Sequence, residues 1–397
     1  MAPLDVAALR RDTPGCERVL HFNNAGSSLP PGPVVEAQLA HLRLEAEIGG
    51  YEAADRASER VDNAYTAVAA LLGASRDEIA VVENATRAFD MAFYAFALRA
   101  GDRILCSRAE YASNYLALLQ ATRRSGAVIE VVPSETDGRV SVSALRESLA
   151  RERARLVVLT HVPTNGGLVN PAREVGRACR ESGVPLLLDA CQSAGQMPLD
   201  VAELGCDVLS ATARKFLRGP RGVGFLYVRR GLVSELEPPF ADLHAALWAE
   251  NDRIEWRADA RRFENWESNI AAKIGLGVAA DYARSIGLQA IQERVTALAA
   301  RLRDGLGRVP GVSVLDLGPS PCAIVTFDVA GRSPVELKAA LGERCVNVSV
   351  TTRSSTRLDM EARGLESLVR ASVHYYNLES EVDRFCEELA GIVRSNR

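Results

Sequence analysis

At 397 residues, 47% hydrophobic and 25% charged, the chain has the length and balance of a globular protein with a sizeable core, enough for one large or two ordinary domains. A net charge of -4 with both signs interspersed leaves no basic footprint for nucleic acid or a membrane surface, and no apolar run reaches the ~20 residues of a membrane span. The opening MAPLDVAALRRDTPGCERVL lacks the apolar core of a signal peptide, and eight scattered cysteines without a C-x-x-C pair argue against a disulfide framework or zinc ribbon, so a reducing cytoplasm is expected.

Short apolar runs alternate with helix-period segments. EIAVVEN (78–84), RILCSR (103–108), VIEVVP (128–133), RLVVLTHV (155–162), PLLLDA (185–190), DVLSAT (207–212) and GVGFLYVR (222–229) read as seven strands buried on both faces. NATRAFDMAFYAFALRAG and SNYLALLQATRRSG read as helices stopped by glycine, and VSALRESLARE and PAREVGRACRESGV fill the next gaps. This alternation predicts an α/β fold, a mostly parallel sheet covered by helices, with ligands at the carboxyl ends of the strands. After about residue 265 the texture changes. A long helical stretch is predicted to break near Ile286–Gly287, followed by VSVLDL, CAIVTFDV, a helical SPVELKAALGER, VNVSVT, LVRASVHYY and a closing helix. The division expected is a large α/β domain over 21–265 and a smaller α+β domain made of 1–20 and 266–397.

Lysine occurs only three times, at 215, 273 and 338, while arginine supplies nearly all the positive charge. Lys273 and Lys338 sit in helix-period runs. Lys215 instead follows a buried strand, in SATARKFLRGPRGVGFLYV, where Gly219, Gly222 and Gly224 permit close backbone approach. An amine can form a Schiff base with a carbonyl, which a guanidinium cannot. Upstream, Asp189 ends an apolar strand, where a carboxylate needs a partner. A Schiff-base lysine and a buried carboxylate facing a pyridinium nitrogen are the minimal kit for pyridoxal phosphate. VVENATRAFDM adds an anion site: a strand, a polar turn, then helix N–H groups at Ala85 and Thr86. Thr212 and Arg214 offer a further hydroxyl and guanidinium. GPRGVG is not G-x-G-x-x-G and precedes a strand, which argues against a dinucleotide, and the five histidines show no metal-ligand spacing.

With these motifs in order, from HFNNAGSSLPP to RASVHYYNLESEVDRF, the chain resembles the class V aminotransferase family of fold-type I pyridoxal-phosphate enzymes, which includes cysteine desulfurases and isopenicillin N epimerase-like proteins. The resemblance implies a Schiff base at Lys215, pairing of Asp189 with the pyridine nitrogen, and contact of Gln192 with the ring's phenolic oxygen. It implies that Asn165 lies beside the ring and substrate, that Ala85, Thr86 and Thr212 bind phosphate, and that Arg370 clamps the substrate carboxylate. Asn24 is a vaguer candidate for substrate contact, as are Asn23 and Tyr51. It also implies a homodimer acting on a small-molecule amino-acid substrate.

Departures from the pattern matter more for the reaction. Tyr111 stands where many relatives stack a histidine. The loop VTTRSSTRLDMEARG has Thr356 near the place of the desulfurase cysteine, and no cysteine; Cys345 reads as part of a buried segment. Trp266 and Glu267 replace the Gly-Thr pair that relatives lend to a partner's phosphate, and Arg214 offers compensating charge. Arg353 and Arg357 could read a second anionic group, or simply decorate a solvated loop. Cα deprotonation of the cofactor-bound amino acid leads to three branches. Transamination is placed first, C–S β-elimination second and epimerisation third, with a non-catalytic fold-retaining binder as the reading of another class.

Overall fold

The computed structural model describes residues 4–395. All seven expected strands form one sheet: β1 (Ile79–Val82), β2 (Arg103–Cys106), β3 (Val128–Val131), β4 (Leu156–Thr160), β5 (Leu186–Asp189), β6 (Val208–Thr212) and β7 (Gly224–Val228). Their order is β1-β7-β6-β5-β4-β2-β3. Only β7 is antiparallel to its neighbours, so the carboxyl ends of the other six strands share one edge with the start of β7. Alternate residues bury against opposite faces. Val158, Leu187 and Val208 meet Phe89, Phe93 and Leu118 on one face, while Leu159, Leu188 and Leu209 join the core on the other. β3 is the exception to the expectation of full burial. It lies at the edge, and Val128 is 54% exposed.

The helix after β1 covers Ala85–Ala95 and stops well short of the expected glycine at 101, and two residues beyond its end Ala97 enters the left-handed region. Helix Ala112–Ser125 does end at a left-handed Gly126. The predicted break at 286–287 is present: helix Ile270–Ile286 gives way to helix Leu288–Gly307 at Gly287, whose φ is 94°. Ile270–Ile286 packs on helices Ser58–Leu72 and Gly32–Ile48, so the part drawn from residue 266 onward begins with a helix that sits with the large sheet's helices.

An antiparallel hairpin, β8 (Ala246–Glu250) and β9 (Arg253–Trp256), projects before that helix, where the sequence suggested no element. Its residues are mostly exposed, so burial patterning could not announce it. The second sheet is antiparallel. It comprises β10 (Val312–Val314), β11 (Ile324–Val329), β12 (Ser349–Thr352) and β13 (Ser367–Ser372), in the order β10-β11-β13-β12. Helices Leu288–Gly307 and Glu379–Arg394 pack together beside it. The N-terminal segment joins this unit. Leu20–His21 pairs in parallel with Val346–Asn347, and the Ser372 amide donates to Phe22 O at 2.7 Å.

Candidate active site

The carboxyl edge of the large sheet opens into a cleft of about 480 Å³. Ala85, Thr86, Tyr111, Asp189, Thr212, Arg214 and Lys215 line it together, joined by Glu83, Asn84, Asn114, Cys191, Arg221 and Gly222. Sequence positions 83 to 222 converge because each follows the end of a parallel strand or precedes the start of β7. Lys215 comes three residues after β6 and is 8% exposed. Its amine lies 5.8 Å from the centroid of the Tyr111 ring. Burial holds that amine below its ordinary pKa; Cys191 and Asp189 oppose the shift, and the Arg214 and Arg370 cations add to it. A depressed amine is more often neutral, the form that attacks a carbonyl.

Asp189 closes β5 and is 4% exposed. The partner that a buried carboxylate demands is Asn114, whose Nδ2 donates to Oδ2 at 2.7 Å, while the Cys191 amide donates to Oδ1 at 2.8 Å. Asn114 is a functional neighbour that the sequence reading passed over. Its signal was an asparagine in the first turn of a helix, three residues after Tyr111. Behind Tyr111 lies a second overlooked group. Glu110 accepts from Ser107 Oγ at 2.6 Å, the Thr160 amide at 2.9 Å and Thr160 Oγ1 at 2.6 Å, and Thr160 Oγ1 accepts from the Tyr111 amide at 3.3 Å. Burial raises the Glu110 pKa, and the three donors pull it back. Cys191 has a thiol more enclosed than the residue as a whole, and burial pushes it up to about 12.

At the other end of the cleft, helix Ala85–Ala95 presents its N-terminus. Asn84 caps it by accepting from the Arg87 amide at 2.9 Å, which leaves the Ala85 and Thr86 amides facing the opening. β7 comes so close that a Cβ on Gly224 would stand 2.6 Å from Ala211 O, 2.8 Å from the Asn84 carbonyl carbon and 3.0 Å from Ala85 N. Glycine is needed there for steric room. Arg214 Nη1 donates to Thr212 Oγ1 at 3.2 Å, which sets a guanidinium beside the hydroxyl. Trp266 and Glu267 are exposed and do not line this end.

Four expected residues lie outside the lining. Gln192 donates to Ala25 O at 3.1 Å, and its Oε1 is buried without a partner. Arg370, on β13, donates to Thr164 O at 3.2 Å and to Thr164 Oγ1, and its Nε is buried without a partner. Burial lowers the Arg370 pKa to about 10, which still leaves it charged at neutral pH. Asn165 is buried and bonded away from the cleft. Its Nδ2 donates to Thr356 Oγ1 at 2.8 Å, and its Oδ1 accepts from Thr351 Oγ1. Asn24 corrects the sequence reading. It is completely buried, donates to Ser372 O at 2.7 Å and accepts from Tyr376 Oη at 2.5 Å, so its amide is spent on tying two segments together and is not open to substrate. Cys345 also differs: it is exposed, with φ 57°. Arg353 and Arg357 pair with Glu361 and, for Arg353, with Glu366, on the surface. Tyr51 is 69% exposed.

A buried neutralisable amine facing a ring-sized cleft, a held carboxylate, a helix N-terminus and two orphaned polar atoms fit a phosphorylated pyridine aldehyde. The fold and cleft thus define a pyridoxal-phosphate enzyme of fold type I. Comparison with known proteins agrees. The family model described as Aminotransferase class-V matches residues 20–385, and the chain belongs to that family, whose cofactor is pyridoxal 5'-phosphate. A probable cysteine desulfurase of Xylella fastidiosa (strain 9a5c) is 30% identical, with 97% of this chain and 95% of that one covered. The apo cysteine desulfurase of Thermococcus onnurineus NA1 superposes with a TM-score of 0.90 at 26% identity, covering 100% and 99% of the two chains. The cystine C-S lyase C-DES, solved with its reaction product cysteine persulfide, shares the fold, with a TM-score of 0.85 at 24% identity over 95% and 99%.

Proposed function

We propose that this enzyme cleaves the C–S bond of a cysteine-derived amino acid by β-elimination and releases the sulfur compound into solution instead of onto an enzyme thiol. One observation carries the reading: Thr356, 1% exposed and bonded to Asn165, occupies the loop where the desulfurase pattern has its cysteine. The relatives named as probable cysteine desulfurases support a sulfur amino acid, and this moves elimination ahead of the transamination that sequence reading placed first.

Ala85, Thr86, Thr212 and Arg214 would hold the phosphate of the cofactor, and Tyr111, Asp189 and Gln192 would hold its ring. Bound there, pyridoxal phosphate supplies an electron sink for the pair left at Cα. Arg370 binds the substrate carboxylate through a guanidinium that still has a free Nε–H. Lys215 Nζ, its pKa lowered by burial, would accept the Cα proton. Asp189, oriented by Asn114 and the Cys191 amide, would serve as the carboxylate partner of the cofactor's ring nitrogen. The balance is one thioether amino acid and one water giving a thiol, a 2-oxo acid and ammonia. We place the enzyme in a reducing cytoplasm, in keeping with eight free cysteines, and infer a homodimer.

The deciding experiment supplies S-substituted cysteines to the purified holoenzyme with no amino acceptor. Stoichiometric thiol, pyruvate and ammonia are expected. Strict dependence on a 2-oxo acid would reject elimination in favour of transamination, and Cα exchange with inversion but no thiol would point to an epimerase.

A further inference from the structure

Three residues after Lys215 stands Arg218, which has the largest nearly fully buried side chain among the described residues, at 1% exposure. None of its hydrogen bonds goes to a carboxylate. Nε donates to Leu29 O at 2.8 Å, Nη1 to Tyr375 Oη at 2.6 Å and Nη2 to Thr13 Oγ1 at 2.6 Å. Its face lies 4.5 Å from the Tyr376 ring centroid and 5.1 Å from that of Tyr375. The backbone of Arg218 is left-handed, with φ 61°, and closes directly on the lysine: its amide donates to Lys215 O at 2.9 Å. A buried cation that bonds no carboxylate among the described residues and a left-handed arginine are two separate costs borne by one residue.

The partners show what those costs secure. Thr13 and Leu29 precede the large sheet. Tyr375 and Tyr376 follow Arg370 by five and six residues on the same run of chain. In that run His374 Nε2 also donates to Phe216 O at 2.9 Å, while its Nδ1 accepts from the Tyr375 amide at 2.8 Å. Two consecutive stations of the lysine loop, Phe216 and Arg218, are therefore held by the segment that begins at Arg370.

We propose that Arg218 is a positioning residue that staples the Lys215 loop to the chain carrying Arg370, so that the amine and the carboxylate-binding guanidinium keep a fixed separation. Proton transfer from Cα needs this, because displacing a reacting group by about 1 Å costs on the order of 100-fold in rate. The proposal rests on Lys215 and Arg370 as base and carboxylate site, but not on which group leaves from Cβ.

The test uses holoenzyme carrying Arg218→Met, and Arg218→Lys, whose single ammonium cannot span three acceptors in a planar fork. Amide hydrogen exchange at residues 213–219 is expected to quicken at least ~10-fold while the large-sheet strands stay protected. Washout of Cα deuterium from a bound amino acid is expected to slow by ~10- to 100-fold, with its binding constant little changed. Wild-type exchange in the loop together with wild-type washout in Arg218→Met would overturn the proposal, even with a lowered melting temperature. Should that variant not fold, Thr13→Val and Tyr375→Phe each delete one bond and leave the arginine in place. Both are expected to shift in the same direction, and native values for both would overturn the proposal. If the wild-type enzyme washes out no Cα deuterium with any amino acid, the functional reading fails, and the loop-exchange result alone judges the staple.

Discussion

Lys215 carries a cost in the cofactor-free protein. Burial and the nearby arginines lower its pKa from the ordinary 10.5. Between the lowered value and 10.5, the unfolded chain binds more protons at this site than the folded one, so stability rises with pH across that window. Below the lowered value the full cost of burying the ammonium remains. Lys215→Met should therefore raise the melting temperature of the apoprotein at neutral pH and flatten its rise toward alkaline pH, as differential scanning fluorimetry would read. An unchanged slope would contradict the assignment of the buried amine. Asp189 depends on Asn114 in the same way that Lys215 depends on its surroundings. Asn114→Ala leaves a buried acceptor without its donor, a loss of about 1–3 kcal/mol, which corresponds to a roughly 5- to 150-fold larger cofactor dissociation constant. Equilibrium dialysis would show it, and native affinity would mean that the cofactor nitrogen alone holds the carboxylate.

The phosphate end is a matter of elements meeting. β7 and the helix beginning at Ala85 approach until only a hydrogen fits at Gly224, with Ala211 O 2.6 Å from where a Cβ would stand. Both neighbours are backbone, so neither can swing aside. Gly224→Ala must push the strand off the helix N-terminus, at a cost of about 1–3 kcal/mol of the kind that overpacking brings. A folded protein with cofactor affinity reduced at least ~10-fold is expected, and retention of full affinity would show that the approach is not needed for the phosphate. The lysine turn has a similar seat. Gly195 adopts φ 89°, and a Cβ there would meet the Phe216 carbonyl carbon and the Leu217 amide nitrogen at 2.4 Å. The loop of 353–363 is a third junction. Its Thr356 turns inward to Asn165, while Arg357 remains outside, 73% exposed at its side chain, with Glu361 at 2.8 Å.

At the scale of the whole molecule, several large apolar side chains near the hairpin face water. Phe240, Leu243, Leu247, Trp248 and Trp266 are 58–77% exposed on the hairpin and its flanking loops. We propose that a second copy of the chain covers them in a homodimer. Sedimentation should give twice the chain mass, and Trp248→Glu should shift it toward the single chain. A wild-type monomer with full activity would refute the dimer. No helix among the described residues is long and apolar enough to cross a membrane.

The amino-acid sequence alone determined the seven strands, their mostly parallel arrangement and the lysine–carboxylate–helix kit, because buried strands, glycine stops and a rare lysine are local signals. It placed Lys215, Asp189, Thr86 and Thr212 on one strand edge because that edge follows from strand direction. Only the tertiary structure decided which polar groups were already spent. Asn24 looked available and is consumed by Ser372 and Tyr376; Asn114 looked incidental and holds Asp189; Arg218 looked like one more arginine and reaches Thr13 and Tyr375 across the molecule. Such bonds join residues from 75 to 352 positions apart, and no periodicity or spacing along the chain encodes which donor meets which acceptor once the core has closed around them.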